Sequence, residues 1–225
     1  MIYVTGDIHG DITRFNDKEF RRIKAGDHLI ICGDFGFLWD GSDEERKALE
    51  KLAKKKYTIM FVDGSHENFD MLAQAKLTRY KGGYVHKIAD NIYHMMRGEV
   101  FEIEGKTIFA MGGGESYDRE MRVEGKTWWR NEIPSREELA NGAENLDDID
   151  CAVDLIITHE APAKTKEFLK LKTNETVKIT PLNNYLDQIA LNIRYKHWYF
   201  GSLHLDIPIT NNMTAVFKEL EEVDF

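Results

Sequence analysis

His28-Leu29-Ile30-Ile31-Cys32-Gly33-Asp34 is the stretch that decides the architecture. A continuous apolar run closed by a glycine and an acid reads as a strand covered on both faces, unlike the alternating strand of a half-exposed sheet. The same design flanks it. Ile2-Tyr3-Val4 runs into Gly6-Asp7, and Thr58-Ile59-Met60-Phe61-Val62 runs into Asp63-Gly64-Ser65-His66. Residues 13–23 predict a helix between the first two strands. Ser42-Asp43-Glu44-Glu45 predicts a capping box that opens a second helix, running to about Lys56. Strands and helices alternating with short connections imply a parallel sheet with right-handed crossovers. Ligands of such sheets bind beyond the carboxyl ends of the strands. The pattern therefore gathers Asp7, Asp34 and His66 on one edge.

Farther along, a short helix is expected near 68–75, and residues 84–111 alternate as short strands, with Glu104-Gly105 as a hairpin turn. Gly112-Gly113-Gly114 reads as a flexible loop, and 115–133 as a long excursion over the edge without periodicity. Ser135 with Glu138 predicts another capping box. Val153–Ile157 predicts a strand ending at His159, and Pro181 suits the first turn of a helix reaching about Asn192. Trp198-Tyr199-Phe200 predicts a strand ending at Gly201, and a last strand is expected at 213–218.

At 225 residues, 42% of them apolar, the chain is expected to fold as one domain spanning 1–225. A net charge of -9 argues against non-specific binding to nucleic acid or anionic membrane, both of which need a basic surface. A phosphate-bearing substrate stays compatible, because a bound metal reverses the local field. Cys32 and Cys151 lack CxxC spacing and read as small residues of a reduced protein. No apolar stretch has the length of a membrane span, and the first strand leads directly into an acidic turn rather than forming a signal peptide. These features together imply a cytoplasmic protein; oligomeric state is not legible.

Five segments place acids and histidines at turns: Gly6-Asp7-Ile8-His9-Gly10, Gly33-Asp34-Phe35-Gly36, Gly64-Ser65-His66-Glu67, Thr158-His159-Glu160-Ala161-Pro162 and Gly201-Ser202-Leu203-His204. Carboxylate oxygen and imidazole nitrogen suit Mn, Fe and Zn. Singly each segment is weak; in this order, most of them after a strand, they are specific. The set resembles the calcineurin-like metallophosphoesterases, whose blocks are GDxHG, GD, GNH(D/E), a histidine near a strand end, and GHxH. The phrases GDFGFLWD, FVDGSHENFD and WYFGSLHLD are similar to small bacterial and prophage members.

The resemblance implies an α/β fold of two packed mixed β-sheets flanked by helices, and hydrolysis of phosphate mono- or diesters at two metals. Carried over by position, it implies Asp7, His9 and His204 at the first metal and Asp34 shared by both. His159 falls at the second metal, and His66 is the general acid or phosphate contact. Ser65 stands where the family has asparagine, and Ser202 where it has histidine. Both departures fall on the second metal, so one site keeps its ligands and the other is depleted. Phe37 stands where many relatives carry an aspartate that orients the acid histidine; Asp63 and Glu67 flank His66 in sequence.

The implied substrate is a phosphate-ester small molecule or a nucleotide. Three readings stay open: a phosphoesterase of lowered activity, an impaired relative that binds a phosphorylated ligand or protein partner, and an active enzyme disabled on purpose at Ser65 and Ser202. His28, His86, His94 and His197 have no motif context and read as structural or surface. Trp128 and Trp129 read more simply as packing residues than as a base-stacking platform. A covalent serine mechanism at Ser65 is disfavoured, because no strained G-x-S-x-G elbow is present.

Overall fold

The computed structural model describes the backbone of residues 1–173 and 178–225 and the side chains of 1–169 and 178–225. The strands are β1 (Ile2–Thr5), β2 (His28–Ile31), β3 (Thr58–Phe61), β4 (Lys76–Tyr80), β5 (Gly83–Ala89), β6 (Ile92–Met95) and β7 (Glu99–Ile103). They continue as β8 (Lys106–Met111), β9 (Ala152–Thr158), β10 (Arg194–Phe200), β11 (Ile207–Thr210), β12 (Met213–Ala215) and β13 (Glu221–Glu222). The helices are α1 (Asp43–Ala53), α2 (Phe69–Gln74), α3 (Arg136–Asp147), α4 (Ala163–Thr173) and α5 (Pro181–Asn192).

Seven strands form one sheet in the order β13-β1-β2-β3-β6-β5-β4, and six form another in the order β11-β12-β10-β9-β8-β7. Strands β1, β2, β3 and β6 run parallel, as do β8, β9, β10 and β12; antiparallel strands complete both sheets. This is the expected pair of mixed sheets. The apolar runs are continuous because every central strand is covered twice. Val4, Ile30, Met60 and Met95 of the first sheet meet Phe101, Ile108, Leu155 and Ile157 of the second in a shared core. On the outer face of the first sheet, Leu29, Ile31 and Phe61 pack on Phe15, Phe20, Leu52 and Leu72. On the outer face of the second, Phe109, Ile156 and Trp198 pack on Leu146, Leu182 and Leu186. The result is helix, sheet, sheet, helix.

The local signals mostly act as expected. Ser135 and Glu138 form a reciprocal capping box, and α5 starts at Pro181 and ends at Asn192. The β7–β8 hairpin turns at Glu104-Gly105, both with positive φ. Three readings change. Residues 13–23 are not an α-helix but two 3-10 segments, Ile12–Asn16 and Glu19–Arg22. The cause is tertiary: the Arg14 guanidinium is buried and donates to the carbonyls of Asp7 (2.6 Å) and Phe217 (2.8 Å). Those bonds fix the backbone against local propensity. Ser42 caps α1, but its box is half made, because Glu45 turns back to accept from the Trp39 and Asp40 amides at 2.7 and 3.0 Å. Of the expected strand 213–218, residues Met213–Ala215 form β12; β4, on the sheet edge, carries no strong pattern in the sequence.

Candidate metal centre

All five motif turns follow the carboxyl ends of parallel strands: β1, β2 and β3 in one sheet, β9 and β10 in the other. The two sheets aim these ends at a common place, so residues far apart in sequence touch there. Asp7 Oδ2 lies 3.0 Å from His204 Nε2 and 4.0 Å from His9 Nε2, and the two imidazole nitrogens are 3.0 Å apart. Asp34 Oδ2 lies 3.8 Å from His9 Nδ1 and 2.8 Å from His66 Nδ1. His159 reaches in from the second sheet, its Nδ1 3.5 Å from Asp7 Oδ1 and its Nε2 3.8 Å from Asp34 Oδ1.

The backbone is bent to make this convergence. Eight non-glycine residues among those described have positive φ, and four of them are His9, Asp34, Ser202 and His204. Such conformations are sparsely populated and cost about 1–3 kcal/mol each, so they persist where the surroundings over-determine them. The Asp34 carbonyl supplies part of that constraint, accepting from the Ile8 and His9 amides at 3.0 and 2.8 Å. Gly33, with φ of +105°, lets the His159 ring lie directly on the backbone, where a Cβ would collide with it. A Cβ on Gly64 would strike the Asp34 carboxylate. Gly33 and Gly64 thus leave space for His159 and Asp34.

Electrostatics couple the same groups. Burial alone would raise the Asp34 carboxyl, but the charges of His159, His66 and His9 and the His66 hydrogen bond hold it well below the ordinary carboxylate range. Burial would lower His159, yet Asp34 and Asp7 outweigh it and push the imidazole up. The Asp7 carboxylate against its ring raises His204.

The donor set fits a divalent cation. Asp7 Oδ2 is buried, accepts no hydrogen bond of good geometry, and faces two imidazoles. Ligand atoms from Asp7, His9 and His204 lie within 4.8 Å of one another, as do those from His9, Asp34 and His66. An anionic oxygen with two nitrogens aimed at one point is the arrangement that Mn, Fe and Zn accept. At the serine positions the arrangement is thinner. Ser202 Oγ is buried without a partner, while its amide donates to Asp7 Oδ1 at 3.3 Å. Ser65 Oγ lies 3.2 Å from His66 Nδ1.

A model of the calcineurin-like phosphoesterase family matches residues 1–206. The chain belongs to this family. Among solved structures, the crystal structure of phosphopantetheinyl hydrolase from Mycobacterium tuberculosis is similar, at 12% identity and a TM-score of 0.47, covering 96% of this chain and 87% of that one. No curated protein sequence matches. As a calcineurin-like phosphoesterase, the chain carries a phosphoester hydrolase framework with clustered metal-type ligands.

The structure also shows what surrounds the site. Asp34 itself orients His66, so neither Asp63 nor Glu67 does. Asp63 is bound by His94 (2.9 Å) and Arg97 (3.0 Å). Glu67 lies beneath the Asp34 turn, accepting from the Phe35 amide at 2.7 Å; burial raises its carboxyl well above the ordinary range. Phe37, in the place of the missing aspartate, is a core residue packed on Phe35 and Phe15. His94 is structural, as expected. Trp129 is buried, donating to Asp70 at 2.9 Å, so it is a packing residue; Trp39 is the indole that approaches His66, with ring centres 6.0 Å apart. Arg122, in the 115–133 excursion, also reaches the site. Its Nη2 lies 3.3 Å from His66 Nε2. Nothing distinguishes it in sequence, because the excursion has no periodicity to say which side chain turns inward.

Proposed function

We propose that this protein hydrolyses a phosphate ester with a divalent metal (Mn, Fe or Zn) held by Asp7, His9 and His204 and flanked by Asp34. A second metal position keeps Asp34 and His159 and is left short of ligands by Ser65 and Ser202. The observation that carries the reading is the approach of Asp7 Oδ2, His9 Nε2 and His204 Nε2 within 4.8 Å of one another. When bound, the metal supplies positive charge to a phosphoryl oxygen and makes water a stronger nucleophile near neutral pH.

The chain's own groups do the rest. Asp34 accepts from His66 Nδ1 and so fixes the ring with Nε2 toward the open side. There His66 is placed to contact the phosphoryl group or give a proton to the departing oxygen. A cleft of about 430 Å³ begins at His9 and His66 and leads past Trp39, room for a small-molecule or nucleotide ester. A net charge of -9 supports a discrete substrate over non-specific nucleic-acid or membrane binding. Cys32 and Cys151 are unpaired, which supports a reducing, cytoplasmic setting, and no described helix is long and apolar enough to cross a membrane.

The unpartnered Ser202 hydroxyl favours a second reading, an impaired relative that retains a phosphorylated ligand or a protein partner without turning it over. The two separate on hydrolysis of 4-nitrophenyl phosphate and bis(4-nitrophenyl) phosphate in Mn²⁺. The first reading expects metal-dependent turnover in the wild type that vanishes in Asp34→Ala together with bound metal. Turnover absent at saturating Mn²⁺ favours the second reading. Unchanged metal content in Asp34→Ala removes that residue from the ligand set.

A further inference from the structure

Arg122 is held as a fixed cation at the mouth of the site. Its Nε donates to Asp118 Oδ1 at 2.7 Å, its Nη1 to the Thr127 carbonyl at 3.2 Å, and its Nη2 points at His66 Nε2, 3.3 Å away. Two of the three nitrogens are thus spent on the loop's own backbone and acid, which orients the third toward the site. A guanidinium can only donate, so Nη2 is an anion contact waiting beside the imidazole.

The same excursion braces the opposite wall. Trp129 is buried and meets the Trp39 indole edge-on, ring centres 5.6 Å apart at 76°. Trp39 is half-exposed and forms one side of the cleft, with Ile12, Phe37 and Ala48 as apolar lining. Asp40 and Glu44 also line it, and among the described residues the lining contains no lysine or arginine. A cleft with an aromatic wall, acidic groups and no cation accepts an uncharged ring and repels further phosphates.

Resting on the phosphoesterase reading above, we infer that Arg122 binds a phosphoryl oxygen of the substrate, and that the substrate is a single-phosphate ester whose organic group is an uncharged aromatic ring seated against Trp39. Arg122 is a substrate-binding residue supplied by the excursion, and Trp39 sets specificity.

The test is equilibrium binding, read without turnover. Phenylphosphonate and inorganic phosphate are titrated calorimetrically into Mn²⁺-loaded wild type, R122Q, R122K and W39A, each checked for native circular dichroism and metal content. R122Q is expected to weaken both ligands at least tenfold with metal content unchanged, and R122K to recover part of the loss. W39A is expected to weaken phenylphosphonate at least fivefold and leave phosphate within twofold. Pyrophosphate is expected to bind no more tightly than phosphate. R122Q binding both ligands as wild type does, or W39A weakening both equally, overturns the inference. Binding that follows the expected pattern in a protein without turnover overturns only the hydrolytic reading. Turnover in a protein whose R122Q variant keeps wild-type KM and phosphate affinity overturns only the inference.

Discussion

Removing the Arg97 side chain tests how the site's second support is built. Arg97 is buried, its side chain 4% exposed, and Asp63 beside it is 1% exposed. Its Nε donates to Asp63 Oδ2 at 3.0 Å and its Nη1 to Glu138 Oε2 at 3.1 Å. Its Nη2 donates to Asp63 Oδ2 at 2.5 Å and to the Asn131 carbonyl at 2.6 Å. Arg97→Met keeps the stem's volume and leaves the Asp63 carboxylate buried with His94 alone. Breaking a buried pair by removing one partner costs about 3–5 kcal/mol. For a chain of this size that corresponds to a fall in Tm of roughly 6–20 °C. Urea unfolding at pH 7, followed by circular dichroism, measures it. Asp63→Asn should interact with Arg97→Met, so that the double variant costs about 1–3 kcal/mol less than the sum of the singles. The Asn131 carbonyl belongs to the end of the excursion carrying Arg122, so weakened phosphate binding should accompany the stability loss. A cost under about 1 kcal/mol, or strict additivity with Asp63→Asn, would falsify the account of a buried, charge-dependent brace.

Two further outcomes are expected. Burial would raise Asp63, but the Arg97 charge and the His94 hydrogen bond outweigh it and hold the carboxyl well below its usual range. A depressed folded value means the stabilisation is present above the unfolded carboxylate pKa near about 4 and drains away as pH falls toward the folded value. Wild type should therefore lose stability more steeply than Asp63→Asn between pH 5 and pH 2.5, roughly the interval this linkage covers, in urea midpoints; parallel slopes would contradict it. Gly33→Ala should destabilise the fold by about 2 kcal/mol or more, from a strained φ and the displaced His159 ring; a variant with wild-type stability would show that the ring does not need that space.

The sequence made the frame legible where burial is symmetrical. Short apolar runs such as 28–32 and 58–62 between turn residues suit a doubly covered strand, and the turn after each then places Asp34 and His66. The expected pair of mixed sheets and the meeting of Asp7, His9, Asp34, His66, His159 and His204 follow from that rule. The misses come from contacts that periodicity does not encode. Arg14 reshaped residues 13–23 through carbonyls distant in sequence, and Glu45 left its capping box for the Trp39 turn. Arg122 came from a segment whose conformation is set by capping contacts such as Asp118 and Thr127 rather than by an apolar stripe. The partner of His66, Asp34, is 32 positions away in sequence, and the flanking acids Asp63 and Glu67 serve the scaffold instead.

The most direct measurement of the central claim, an intact first metal position beside a depleted second, is metal stoichiometry in the wild type and in Ser65→Asn/Ser202→His after dialysis against Mn²⁺. The account predicts about one ion per chain in the wild type and about two in the double variant, with hydrolysis of bis(4-nitrophenyl) phosphate rising by orders of magnitude. A double variant that binds no more metal than the wild type and stays inert would contradict it.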